Sequence, residues 1–256
     1  MLIALTRAVP PSIAGCEVTF IEREPIDFHL AVEQHEGYCA ALRRCGVEVK
    51  RLPANTSYPD SCFVEDTAIV VDELAVISSM GVASRRGESA AIEPELARYR
   101  ELAHIRPPAT IEGGDVLRVG KSLFVGLSNR TNAQGAEELS RLLRPGGYDV
   151  FPVNMKNCLH LKSACTALDD ETLLINPQWI DLEPFEGYNL TFTPDDEPWA
   201  ANTLRVADRV FLQAGFPRTV ELVQRLGQRI EILDISEFRK AEAALTCLSI
   251  IFQDAI

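Results

Sequence analysis

The 256-residue chain is 46% hydrophobic and carries a formal net charge of −12, which provides apolar material for one large core and no basic face for a phosphate backbone, so nucleic acid is not an expected partner. No apolar run approaches the roughly 18 residues of a membrane span, and "MLIALTRAVPPSIAGC" has no basic flank before its apolar stretch, so a cytoplasmic protein without a membrane partner is expected. Its seven cysteines are scattered, odd in number and without a CxxC pair, which argues against a disulfide framework and a structural zinc site.

In chain order, "MLIALTRAV" reads as a strand and 31–44 as a helix, followed by a hairpin from Asp66, "DTAIVVDELAVIS". A helical window at 88–104 precedes a second hairpin from Asp115, "DVLRVGKSLFVGL", and a helix at 133–143. A third hairpin starts at Cys165 and a fourth, "NTLRVADRVFLQA", at Asn202, before a helix at 217–226 with Pro217 in its first turn. Each hairpin is two apolar strands around a short polar or glycine-containing turn, centred near Glu73, Lys121, Asp170 and Asp208. Their spacing of roughly 40 to 50 residues marks a repeated architecture. A fifth unit arises if "LTCLSIIF" and the N-terminal strand join, so that the termini close a ring. No linker divides the chain, and a single α/β domain over 1–256 is expected.

The residues just before the hairpins then lie near the ring axis, and several are polar: Asp66, Asp115, Asn202, Thr246 and Cys247. A buried polar axis implies either a satisfied network or a ligand cavity. Cys247 is a nucleophile only if it has a base and a polar setting; otherwise it is one more buried thiol. Among four histidines, His160 stands before the third hairpin, at the same axial end, and is the candidate base. "PDSCFVED" contributes Asp60, Glu65 and Asp66, and "IEGGD" contributes Glu112 and Asp115. Carboxylates gathered at an axis repel unless they face a cation, and a guanidinium fork matches paired carboxylate oxygens. Arg85, Arg86 and Arg130 then hold a carboxylate at the far end of the same ligand, which describes an amino acid with a cationic side chain.

"FVED", "SRRGE", "GGDV", "FVGLSNRTNAQGA", "HLKSACT", "AAN" and "LTCLS" together resemble the dimethylarginine dimethylaminohydrolases of the guanidine-modifying (pentein) superfamily, in order and spacing, from about residue 33 to the end. The resemblance implies a five-bladed ββαβ propeller with its active site on the pseudo-fivefold axis. It further implies Cys247 as nucleophile, His160 as general acid and base, and Glu112 as the carboxylate orienting His160. Asp66 binds the guanidinium by the same resemblance, Glu65 and Asp60 support the polar end of the cleft, and Arg85 and Arg130 bind the substrate carboxylate. Main-chain carbonyls of Val18 and Ala241 complete the set. No metal or organic cofactor is implied, the partner is a small methylated or other guanidino amino acid, and a homodimer is an open possibility. The chain departs from the family in Glu242-Ala243, where Asp-Gly is common, and in "SSMGV" (78–82), where "TRPGA" is frequent. Hydrolysis of Nω-methylated arginine is the leading expectation; an arginine deiminase, a citrulline hydrolase and a non-catalytic amino-acid-binding propeller are the alternatives.

Overall fold

The computed structural model of the protein describes residues 1–254. The chain begins with β1 (Leu2–Arg7), α1 (Phe28–Arg44) and β2 (Glu48–Leu52). Asp27 caps α1 by accepting from the main chain of His29 and Leu30, so the helix starts three residues before the window read from its apolar pattern. The first hairpin is β3 (Ala68–Val70) and β4 (Leu74–Ile77), followed by α2 (Glu93–Leu96) and β5 (Glu101–His104). Next come β6 (Val116–Val119), β7 (Ser122–Leu127), α3 (Ala133–Leu143) and β8 (Asp149–Asn154). The third unit has α4 (Leu161–Ala164), β9 (Cys165–Ala167), β10 (Thr172–Ile175) and β11 (Asn189–Phe192), with only a 3₁₀ turn (Glu183–Phe185) in its crossover. The last elements are β12 (Leu204–Val206), β13 (Arg209–Gln213), α5 (Pro217–Arg225), β14 (Ile230–Leu233), α6 (Ser236–Arg239) and β15 (Ile250–Gln253).

The strands form five three-stranded sheets. In each, a central strand pairs antiparallel with its hairpin partner and parallel with a strand reached by a crossover: β4 between β3 and β5, β7 between β6 and β8, β10 between β9 and β11, β13 between β12 and β14. The fifth sheet joins the two ends of the chain, with β1 antiparallel to β15 and parallel to β2.

The alternation of side chains along each central strand explains how these small sheets are stabilised. On β4, Val76 enters one apolar core while Ala75 and Ile77 enter another. On β7, Leu123 and Val125 join the core of Val76, and Phe124 points into the next. Leu173 and Ile175 of β10 pack with Phe124, and Leu174 turns to Val210 and Leu212 of β13. Phe211 of β13 packs into the same core as Ala4 of β1, whose Ile3 and Leu5 return to Ala75 and Ile77. Each core is thus shared by two consecutive sheets, and the series returns to its start. Full burial of one such side chain contributes about 1.5–3 kcal/mol, so each unit draws much of its stabilisation from its neighbours. The strands β3, β6, β9, β12 and β15 all line a central cavity of about 420 Å³.

The helical window at 88–104 is corrected. Only 89–91 and 93–96 turn, with Pro94 in the first turn of α2, and 101–104 is β5, parallel to β4. The parallel edge offered by β4 outweighs the helical propensity of the Glu, Leu and Ala residues. Among the described residues, no helix is long and apolar enough to cross a membrane.

Candidate active site

The short segments that enter the hairpins meet at one end of the axis, and each is tied to the next by a polar side chain. Asp66 Oδ1 accepts from Gly114 N at 2.9 Å, Asp115 Oδ1 from Leu161 N at 3.0 Å, and Asn202 Oδ1 from Thr246 N at 3.3 Å. These equivalent contacts explain why the axial positions are polar. They also require close approach at "GGD": a Cβ at Gly114 would lie 2.6 Å from His160 Nδ1 and 2.8 Å from Asp66 Oδ1.

His160, Glu112 and Asp66 form the centre of the site, and all three are buried. His160 Nε2 lies 2.9 Å from Glu112 Oε2, and Nδ1 lies 3.9 Å from Asp66 Oδ1. Burial alone would lower the His160 pKa, but Asp66, Asp115 and Glu112 outweigh it and lift it to about 9. The ring is therefore an imidazolium near neutral pH, with Nε2 committed to Glu112 and Nδ1 left for proton exchange. Glu112 and Asp66 are held low despite burial, Asp66 at about 2, by His160 together with Arg85. Glu112 Oε1 also accepts from Gly81 N at 3.0 Å, so "SSMGV" borders the site through its glycine. One ligand atom from each of Asp66, Glu112 and His160 falls within 4.8 Å of the others, a grouping that suits a cation; with a proton on both nitrogens, the His160 ring itself supplies that charge.

Cys247 is half-buried in a 3₁₀ turn, Thr246–Leu248, and its Sγ accepts from Ala244 N at 3.4 Å. The preceding Thr246 hydroxyl donates to Glu65 at 2.7 Å, and Glu65 is paired with Lys162 at 2.5 Å. Burial, with Glu65 and Asp66 adding to it, pushes the thiol pKa well above its ordinary value. A thiolate is therefore disfavoured until a cation reaches these carboxylates.

At the rim, Asp60 accepts from Glu17 N at 3.2 Å, which brings the loop holding Val18 to the site. Ala241 follows α6 and is buried, and the next residue, Glu242, has φ +56°. Glu242 N donates to Arg239 O and Ala243 N to Phe238 O, the Schellman pattern with glutamate at the left-handed position usually given to glycine, at a cost of about 1 kcal/mol.

Direct contacts join Asp66, Glu112, His160, Arg85 and Arg130, Glu65 meets Cys247 through Thr246, and Asp60 meets Val18 through Glu17, whereas Arg86 is exposed; the expected separation of acids from arginines is not what the structure has. Arg85 donates to Asp66 at 2.7 Å and to Glu88 at 2.8 Å, and Arg130 Nη1 lies 3.5 Å from Glu112 Oε2. The arginines neutralise the acids from within, and Arg130 has the more available donors. Six acids (Asp60, Glu65, Asp66, Glu88, Glu112, Asp115) still outnumber four cations (Arg85, Arg130, His160, Lys162), all buried or half-buried. Glu88, raised by burial to about 7, and Lys162 were not singled out from the sequence. Their signals were a carboxylate three residues after Arg85 and a lysine two after His160. Cys62 and Cys165, flanking the axial motifs, are fully buried and their thiols are raised by burial, so both are packing residues.

Comparison with known proteins finds relatives along nearly the whole chain. Residues 20–181 match the model of the eukaryotic N,N dimethylarginine dimethylhydrolase family. The chain is 37% identical over 228 residues to the N(G),N(G)-dimethylarginine dimethylaminohydrolase of Pseudomonas aeruginosa, covering 88% of this chain and 90% of that one. It is 38% identical over 249 residues to the enzyme of the same name from Streptomyces coelicolor, covering 96% and 95%. A solved structure of the Pseudomonas aeruginosa protein, a cysteine-to-serine mutant complexed with citrulline, superposes with a TM-score of 0.91 at 34% identity, covering 98% of each chain.

Proposed function

The chain belongs to the dimethylarginine dimethylaminohydrolase family, and on that premise we propose that it cleaves the guanidinium C–N bond of Nω-methylated arginine through a covalent intermediate on Cys247. The products are citrulline and methylamine or dimethylamine. The observation that carries the assignment of roles is the buried His160, held by Glu112 at 2.9 Å and lifted to about 9: an imidazolium placed to protonate a departing amine.

The substrate guanidinium binds at Asp66, with Glu65 and Asp60 supporting the polar end of the cleft. Arg130, and Arg85 with its remaining Nη1 hydrogen, bind the substrate carboxylate, and the main-chain carbonyls of Val18 and Ala241 receive its ammonium. As this cation neutralises Glu65 and Asp66, the Cys247 thiol loses its proton to solvent. The thiolate attacks the guanidinium carbon, and a C–S bond forms while the C=N electron pair moves to nitrogen. His160 Nδ1 gives its proton to the methylated nitrogen, the C–N bond breaks, and the amine leaves. A thiouronium cation remains on Cys247. Neutral His160 then takes a proton from water, which adds to the same carbon. The C–S bond breaks with its electron pair leaving on Cys247 Sγ, the hydroxyl proton passes to that sulfur as the C=O bond forms, and citrulline is released. The buried carboxylates hold His160 ready for both transfers without reorganisation.

Incubation with Nω,Nω-dimethylarginine, arginine and citrulline, with citrulline, dimethylamine, ammonia and ornithine measured separately, tests this reading. Stoichiometric citrulline and dimethylamine are expected. Ammonia from arginine as the main activity assigns a deiminase, and ornithine assigns a citrulline hydrolase. The Cys247→Ser variant is expected to bind substrate without forming a mass-shifted adduct; undiminished turnover by that variant refutes the nucleophile.

A further inference from the structure

Residues 17–21 approach the site without regular secondary structure, and Phe20 is 42% exposed. Asp60 and Ser84 hold Glu17 at one end, and Thr19 and Phe20 are held by a residue 222 positions beyond Phe20. The Glu242 carboxylate accepts from Thr19 N at 2.6 Å and from Phe20 N at 3.0 Å. The same residue occupies the left-handed position after α6, where glutamate is strained and glycine is not. The helix cap alone is better served by glycine, so the feature that glutamate adds at this strained position is the capture of two main-chain donors.

We propose that Glu242 is a positioning residue for substrate binding: its carboxylate latches the 17–20 loop to the segment leading to Cys247. The latch spans the two positions from which Val18 and Ala241 present their carbonyls, each immediately before a latched residue. It rests on the reading of those carbonyls as ligands of the substrate ammonium. Asp60 provides the second tie, through Glu17 N, so the loop is held on both sides of Val18. Glu242 does not touch the reacting atoms, and its removal therefore acts on binding rather than on chemistry.

The discriminating variant is Glu242→Gly, which suits the backbone and removes only the carboxylate. Losing two charge-assisted hydrogen bonds at a partly exposed site is expected to raise KM for dimethylarginine about tenfold with kcat within about threefold. Amide exchange at Thr19 and Phe20, followed by NMR, is expected to accelerate at least about tenfold, while the melting temperature is unchanged or higher. Glu242→Gln, which keeps one acceptor oxygen, is expected to restore most of the KM. Unchanged KM in the glycine variant, or amide exchange as slow as in the wild type, overturns the proposal. A fall in melting temperature that accounts for the loss of activity overturns it as well. The exchange measurement needs no turnover: a wild-type protein inactive on every guanidine removes the underlying functional reading, whereas unprotected Thr19 and Phe20 amides in that protein remove the latch.

Discussion

Replacing Glu112 by glutamine isolates one of the three carboxylates, with Asp66 and Asp115, that make His160 an acid, and the one hydrogen-bonded to its ring. The side chain is fully buried; one oxygen lies 2.9 Å from His160 Nε2 and the other accepts from Gly81 N at 3.0 Å. Glutamine has the same shape, but either orientation leaves one mismatch. With the amide nitrogen toward His160, it also meets Arg130; turned the other way, it meets the Gly81 N–H. Loss of an adjacent carboxylate lowers an imidazole pKa by about 1–3 units, which moves His160 from about 9 to roughly 7. At pH 7.5 the charged share then drops from nearly all to roughly a quarter, only about a fourfold effect on rate. Misorientation of the ring accounts for more, about 10²-fold, so kcat is expected to fall by about 10²–10³. The assay is citrulline formation across pH, whose alkaline limb in kcat/KM reports the free enzyme, together with NMR titration of the imidazole signals. With four histidines in the chain, the His160 signal can be assigned by substitution. Retained citrulline binding and near-ultraviolet circular dichroism show that the variant is folded. A folded variant with kcat within threefold of wild type and an unmoved His160 titration refutes the role given to Glu112.

A methyl group at position 114 would press on His160 and Asp66, so Gly114→Ala is expected to cost about 1–3 kcal/mol in urea unfolding and at least about 10²-fold in kcat; a stable variant with normal kcat contradicts the close packing. Stability is also expected to depend on pH in a definite direction. The His160 contribution is fully present below its unfolded pKa near 6.5 and is lost as pH rises through about 9, worth roughly 3 kcal/mol. That of Asp66 is present above an unfolded pKa of about 4 and is lost as pH falls through about 2. Asp115 and Glu88, raised by burial to about 6 and about 7, add a decline of the same sign at lower pH, from an unfolded pKa of about 4 up to those values, and none above them. The melting temperature is thus expected to fall between pH 6 and 9.5, with a shallower slope in His160→Asn; an identical slope in that variant contradicts the buried imidazolium.

The repeat was legible because every central strand has a neighbour core on each face, so "LAVI", "LFVGL" and "TLLI" are apolar at nearly every position and stand out between turn residues. The 88–104 stretch misled for the opposite reason: its composition suits a helix, and only the parallel partner β4, remote in sequence, makes 101–104 a strand. The site shows the same division. Register placed Asp66, His160 and Cys247 on the axis, but pairings such as Arg85 with Asp66, Lys162 with Glu65 and Glu242 with Thr19 depend on loops 19, 97 and 223 residues apart. The sequence left two explanations for polar residues at the axis, a satisfied network or a ligand cavity, and the structure divides them by residue. Asn202 and Asp115 spend their oxygens on structural ties: Asn202 Oδ1 and Asp115 Oδ1 on neighbouring units, and Asp115 Oδ2 on Ser128 of its own unit. Asp66 makes the same structural tie with Oδ1, yet that oxygen also faces His160 while Oδ2 holds Arg85. On the proposed function, Asp66 is therefore a structural tie of the repeat put to a second use, because the tie already holds a negative charge at the axis where the guanidinium is proposed to bind.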